Sequence, residues 1–431
     1  MKKNLLNDTI RTLREESQAP FYLFDLDAFR ENIRGLREGI GTENGLCIAM
    51  KCNPFLAGEM AAAADRLEVC SFGEYRICRK AGIPSCKLLI SGVLKKREDL
   101  AVILEECGGS CAYTVESTSQ YRQLAAWAES HRTELRLYLR LASGSQFGMD
   151  RGTLQEILHE ACRSPFLRVQ GIHFYSGTQK KKADKPVREL QELDSLLISL
   201  QEAEHVTIPE LEYGPGMSVS YFQDQKPDRE TFLRQLREAA GRMQWGGRVT
   251  MEMGRAAAAS CGYYVTRVCD LKCIDGRRFC IVDGGIHQLH YDGQIRGMYR
   301  PYVFVLPGDA AEADSREQKY SKASAAGAET DKLEKVMAGQ ACRNEPAEKK
   351  TWTVCGSLCT VNDVLAADLP LGELQEGDLL VFENTGAYSM LEGMSFFLSH
   401  ELPGIAVFSP EEGGSAWLRR PMESWEMNFG R

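Results

Sequence analysis

Between residues 46 and 253, short apolar runs of strand length alternate with longer stretches of helical composition. The strand candidates are 46–51, 67–71, 87–91, 112–116, 135–141, 169–175, 210–213 and 248–253, and segments such as 54–64, 73–81, 117–131, 151–161 and 185–203 suit helices between them. Eight strand–helix units in this span match a (β/α)8 barrel, whereas an open doubly wound sheet usually has fewer strands. Upstream, 1–17 suits a short helix and 21–25 a strand. Phe29, Ile33 and Leu36 recur at helical spacing across 27–39.

The rhythm changes after Cys261. Runs at 263–273, 279–282, 302–306, 351–354, 379–382 and 405–408 are separated by turns with little helix, which predicts a second, mainly antiparallel β domain. Residues 30–257 are thus expected to form the barrel, with 1–29 and 258–431 in the β domain. The stretch 308–350 is rich in Ala, Glu, Lys, Ser and Asp, buries little apolar surface and is expected to be a mobile insertion.

A chain of 431 residues is long enough for two domains, and its formal net charge of -8 argues against nucleic acid or an anionic membrane as the main partner. No signal-peptide-length apolar core opens the sequence, so a cytoplasmic location is expected. The 15 cysteines are scattered with no Cys-x-x-Cys pair, and the 7 histidines show no ligand spacing. Reduced core cysteines and no metal are therefore expected.

In a barrel of this kind the chemistry sits at the carboxyl ends of the strands. The first apolar run ends on Lys51, where Asn53 and Pro54 break it. An amine desolvated there loses basicity and suits Schiff-base chemistry, although a surface lysine after a strand reads the same locally. The other strand ends carry Ser71, Arg140, His173 and Tyr175 leading to Thr178, Gly214 and Gly216, then Glu252, Gly254 and Arg255. Glycines let backbone amides approach an anion, and an adjacent arginine pairs its oxygens, as a phosphate requires. Glu252 is placed to face a protonated ring nitrogen, or else to pair with Arg248 or Arg255. A lysine, a phosphate cradle and a carboxylate together predict pyridoxal 5'-phosphate.

The chain resembles the fold-type III decarboxylases that use pyridoxal phosphate, the diaminopimelate, ornithine and arginine decarboxylase group. Ala49-Met50-Lys51-Cys52-Asn53-Pro54 is similar to the family's lysine motif. The segments 171–178, 214–221 and 252–255 resemble its His-containing strand, glycine-rich phosphate loop and Glu-Pro-Gly-Arg. Gly356 to Asp363, with Cys359, and Gly386-Ala387-Tyr388 resemble its last two motifs. Departures are Tyr175 for the stacking histidine, Met253 and Ser357 for prolines, and Ser218 for a glycine. These mark a divergent branch.

The resemblance implies an alanine-racemase-like barrel and roles for its residues. Lys51 would hold the cofactor and Glu252 would keep its pyridinium protonated. Gly214, Gly216, Gly254, Arg255 and Tyr388 would hold the phosphate, and Cys359 would protonate the carbanion from the partner subunit of a homodimer with shared sites. Arg300 and Asp363 fall where substrate contacts are expected, for a carboxylate and a distal amine respectively. The expected activity is decarboxylation of an amino acid with a polar side chain, free or carrier-bound. A racemase on the same barrel and a non-catalytic cofactor-binding protein are the alternatives.

Overall fold

The structure, a computed structural model, describes residues 2–17, 20–308 and 350–430. All but the two ends of the expected insertion at 308–350 lies outside them. The chain divides into two compact units. One comprises Met1–Phe29, Ser220–Lys226 and Ala259–Arg431, and the other Arg30–Val219 and Pro227–Ala258. No helix among the described residues is long and apolar enough to cross a membrane.

Strand β1 (Phe21–Asp25) precedes eight barrel strands: β2 (Gly45–Ala49), β3 (Arg66–Val69), β4 (Leu88–Ile90), β5 (Ala112–Val115), β6 (Leu135–Arg140), β7 (Leu167–Tyr175), β8 (Glu210–Gly214) and β9 (Arg248–Met253). Each pairs in parallel with its neighbours, and β9 closes on β2 through Gly45↔Thr250 to Ile48↔Met253. The helices between them start on polar caps. Ser71, Ser117, Asp150 and Asp228 each accept an amide of the first turn, meeting donors that a helix cannot satisfy itself.

The inside of this barrel is charged where such barrels usually hold branched aliphatic residues. Arg66 pairs with both Glu210 and Glu212 and donates to the Tyr138 hydroxyl at 2.7 Å. Tyr138 in turn donates to Glu210 at 2.6 Å. Burial pushes the Glu212 carboxyl up, against the pull of Arg66. Gly171 makes room for this cluster, since a Cβ there would lie 2.3 Å from the Glu210 carbonyl and 2.9 Å from the Tyr138 ring.

The other unit holds β10 (Gly262–Ile274), β11 (Arg277–Val282), β12 (Val303–Leu306), β13 (Thr351–Cys355), β14 (Val364–Pro370), β15 (Leu379–Glu383), β16 (Gly404–Ser409) and β17 (Gly414–Arg419). They form one sheet with β1, ordered β14-β13-β11-β10-β1-β16-β17, with β15 bridging β10 and β12. Most pairings are antiparallel, as expected, but β1–β16 and β11–β13 run parallel, so the sheet is mixed. Strands β14 and β17 were not among the sequence candidates. The helix Lys2–Glu16 covers the sheet, placing Leu6, Ile10 and Leu13 against Phe21, Val265 and Val381.

Candidate active site

Every residue of β2 is buried, and the chain then turns sharply. The strand stops at Ala49, two residues short of the expected end, and Lys51 sits in the 3-10 turn Met50–Cys52. The reason is local: Asn53 accepts the Phe55 amide at 3.2 Å, and Pro54 opens the next turn. Lys51 therefore stands at the carboxyl mouth of the barrel. Its side chain is 41% exposed, so the desolvated amine expected from sequence is not what the fold provides. What it provides is charge: Lys51 ion-pairs with buried Glu68 on β3, and Cys70 Sγ is 3.4 Å from the amine. Burial pushes the Glu68 carboxyl up, but Lys51, His173 and Arg140 outweigh it and hold it lowered, to about 2.

On the far side of β2, β9 carries Glu252. It pairs with fully buried His173 of β7, whose Nε2 lies 2.9 Å from Glu252 Oε2. The other ring nitrogen, Nδ1, has no hydrogen-bond partner among the described residues. Glu68, His173 and Glu252 bring ligand atoms within 4.8 Å of one another. The amine of Lys51 and the imidazole of His173 already answer these carboxylates.

The loops after β7 and β8 are stitched together beside this pair. Lys180 N donates to the Gly216 carbonyl at 2.8 Å, Ser218 N to the Lys180 carbonyl at 3.2 Å and Val219 N to Gln179 Oε1 at 3.0 Å. Gly216 has φ +64, and a Cβ there would lie 1.9 Å from the Gly177 carbonyl, so only glycine fits. Gly214 yields its side-chain space to Tyr175, whose ring would be 2.5 Å from a Cβ. Burial, reinforced by Glu252, pushes the Tyr175 phenol up, keeping the ring neutral. Gly254 and Arg255 follow β9 directly, Arg255 opening the short helix Arg255–Ala258.

Three further expected residues have specific surroundings. Ser71 caps the helix Phe72–Lys80, its hydroxyl accepting the Glu74 amide at 3.1 Å while Glu74 accepts the Cys70 amide at 2.7 Å. Buried Arg140 pairs with Glu116 at 3.1 Å and stacks 4.7 Å from the Phe147 ring centroid. Thr178 is exposed.

Cys359, Asp363, Arg300 and Tyr388 belong to the sheet unit. Cys359 is exposed on the loop between β13 and β14, and buried Asp363 holds that loop. Its carboxylate accepts Leu358 N at 2.7 Å and Ile286 N at 2.8 Å. Asp363, the residue expected to meet a distal amine, thus holds the loop of Cys359 through these two amides. A Cβ on Gly356 would lie 2.3 Å from the same carboxylate, which accounts for the glycine. Arg300 is exposed, and Tyr388 adopts φ +64 after Gly386, whose amide bonds the Ala259 carbonyl at 3.0 Å.

Sequence reasoning passed over Glu68, Arg66, Glu210 and Glu212. The signal lies in alternation: Arg66/Glu68 on β3, Glu210/Glu212 on β8 and Thr250/Glu252 on β9 put a polar residue at every second position. In strands sheathed by helices, such residues must point into the barrel. Half-buried Lys95, which donates to Gly92 O at 2.9 Å and Gln120 Oε1 at 3.0 Å, was also missed. Burial lowers its amine to about 8.

The donor set fits a phosphorylated pyridine aldehyde. It offers an amine for the carbonyl, a hydrogen-bonded carboxylate for the ring nitrogen, an aromatic wall, and glycine loops beside an arginine for the phosphate. The comparisons agree. The model of the pyridoxal-dependent decarboxylases, described by their C-terminal sheet domain, matches residues 21–386. The chain is 27% identical to the L-glutamyl-[BtrI acyl-carrier protein] decarboxylase of Niallia circulans, over 93% of this chain and 91% of that one. It is 24% identical to the diaminopimelate decarboxylase of Aquifex aeolicus, over 97% and 92% of the two chains. The crystal structure of diaminopimelate decarboxylase from M. jannaschii superposes with a TM-score of 0.78 at 17% identity, covering 96% of this chain and 92% of that one. The chain belongs to the pyridoxal-dependent decarboxylases, with pyridoxal phosphate as its cofactor.

Proposed function

We propose that this enzyme decarboxylates an amino acid with a polar side chain, using Lys51 as the cofactor anchor and Cys359 as the proton donor. The observation that carries the reading is the pairing of Lys51 with Glu68 on the same barrel rim as the His173–Glu252 pair. Pyridoxal phosphate, when bound, supplies the sink for the electron pair left as carbon dioxide departs. Lys51 supplies the amine that binds the cofactor carbonyl, and Glu68 holds a positive charge on that amine while it is free. Glu252, fixed by His173, would accept the ring N–H and so keep the ring cationic. Tyr175 backs the ring. Ser71, Thr178, Gly214, Gly216, Gly254, Arg255 and Tyr388 would hold the phosphate, while Arg140 with Glu116 braces the rim. Asp363 positions the loop from which Cys359, acting from the partner of a homodimer, delivers a proton to the α-carbon. Arg300 receives a substrate carboxylate.

A panel of free and carrier-bound amino acids scored for carbon dioxide release tests this. Inversion at the α-carbon without carbon dioxide would sink it in favour of a racemase.

A second reading, favoured by the similarity to the Niallia circulans enzyme over 93% of this chain, is that the amino acid arrives on an acyl carrier protein. The α-carboxylate must be free to leave, so the acyl link then runs through a side-chain carboxyl. That chemistry specifies a dicarboxylic amino acid.

A further inference from the structure

The loop after β7 and the first turns of the helix Asp184–Glu204 carry Lys180, Lys181, Lys182, Lys185 and Arg188 against a single acid, Asp184. Five cations within nine residues stand out in a chain whose net charge is -8. A charge run is commonly just a solvated face, but this one is held in a particular place. Lys180 turns inward: its amine meets Glu189 at 3.0 Å and Ser176 Oγ at 2.7 Å and is 9% exposed. Its backbone forms a parallel bridge to Met217, in the loop that follows Gly216. The next residues, Lys181 and Lys182, are exposed, as is Arg188. Lys185 is 55% exposed, 3.6 Å from Glu189. The fold thus pins a cationic surface to the rim of the barrel mouth, beside the glycine loop of the site.

We propose that Lys181, Lys182, Lys185 and Arg188 form the docking surface for an acidic acyl carrier protein that presents the substrate as a thioester. This rests on the carrier-bound reading above. Two proteins of net negative charge repel at long range, so productive encounter needs a local patch of opposite sign next to the site. The rim position suits a partner that stays outside while its flexible prosthetic arm carries the amino acid into the mouth. Lys181, Lys182 and Arg188 have no place in the cofactor site, so their charge serves encounter rather than chemistry.

The test compares the holoenzyme with its K181E/K182E/R188E variant on two substrates. One is γ-glutamyl thioester on an acidic acyl carrier protein, and the other is γ-glutamyl N-acetylcysteamine thioester, which has no carrier. In the wild type the carrier substrate should have the lower KM. The variant should raise that KM roughly tenfold or more and leave kcat/KM for the small thioester unchanged. Added salt should raise the wild-type KM for the carrier substrate towards that of the variant. Carrier affinity by surface plasmon resonance should fall in parallel, with R234E on the barrel flank as an inert control. If the variant processes the carrier substrate as well as the wild type does, the docking surface is wrong while the carrier-bound reading stands. If neither thioester releases carbon dioxide and a free amino acid does, both fall. Binding of a labelled DNA duplex in place of the carrier, lost on the same charge reversal, would also overturn the proposal.

Discussion

Lys51 and Glu68 stand on neighbouring segments of the barrel and form an ion pair in which the carboxylate is 2% exposed and the amine side chain 41%. The pairing sets the Lys51 amine against a carboxylate buried on β3. It also makes the pair a source of pH-dependent stability.

That dependence has a definite sign. The carboxyl of Glu68 is lowered from 4.5 to about 2 in the folded chain, so its contribution is fully present above pH 4.5 and is lost as pH falls towards 2. The stability difference between wild type and E68Q, from urea melts at several pH values, should shrink across that window. A difference that stays constant from pH 6 to 2 would contradict the assigned pairing.

Lys51→Ala should abolish the visible absorption band of the lysine-bound cofactor and cut turnover by roughly a thousandfold or more. The fold should survive, because the side chain is part-exposed at the mouth. Circular dichroism together with absorbance separates the two effects.

Glu252→Gln keeps a hydrogen-bond partner for buried His173 but removes the charge proposed to hold the ring proton. Turnover should fall about a hundredfold with the cofactor retained. Glu252→Ala should also destabilise the chain, by about 1–3 kcal/mol, since a buried imidazole loses its partner. Thermal melts of the two variants check the distinction.

Gly216→Ala places a methyl where the Gly177 carbonyl already sits and forces a side chain into φ +64. The stitched loops must part, so cofactor affinity should drop at least tenfold and stability by about 1–3 kcal/mol. Fluorescence titration with pyridoxal phosphate reads the first and thermal melts the second.

Asp363→Ala frees the Leu358 and Ile286 amides and loosens the loop that carries Cys359. Cofactor binding should be unchanged while turnover falls. Mixing Cys359→Ala with Lys51→Ala subunits should restore measurable carbon dioxide release if the sites are shared across a homodimer. No recovery after verified subunit exchange would argue for a self-contained site.

Much of this was already written locally in the chain. Alternating apolar runs and helical stretches specify eight strand–helix units, because strand and helix periodicities are set by neighbouring residues. Asn53 and Pro54 stop the first strand near Lys51, and Gly216 marks a backbone turn that no other residue fits. Glu252 at the end of the last strand was legible in the same way. Which groups face one another was not. Barrel closure through β9 and β2 sets Glu252 beside the strand that leads into Lys51, and the register of β7 against β8 puts His173 level with Glu212. Arg66 meets Glu210 across 144 residues of sequence. Such pairings depend on closure and register, which are properties of the assembled sheet, so only the tertiary structure could choose Glu68 for Lys51 and His173 for Glu252.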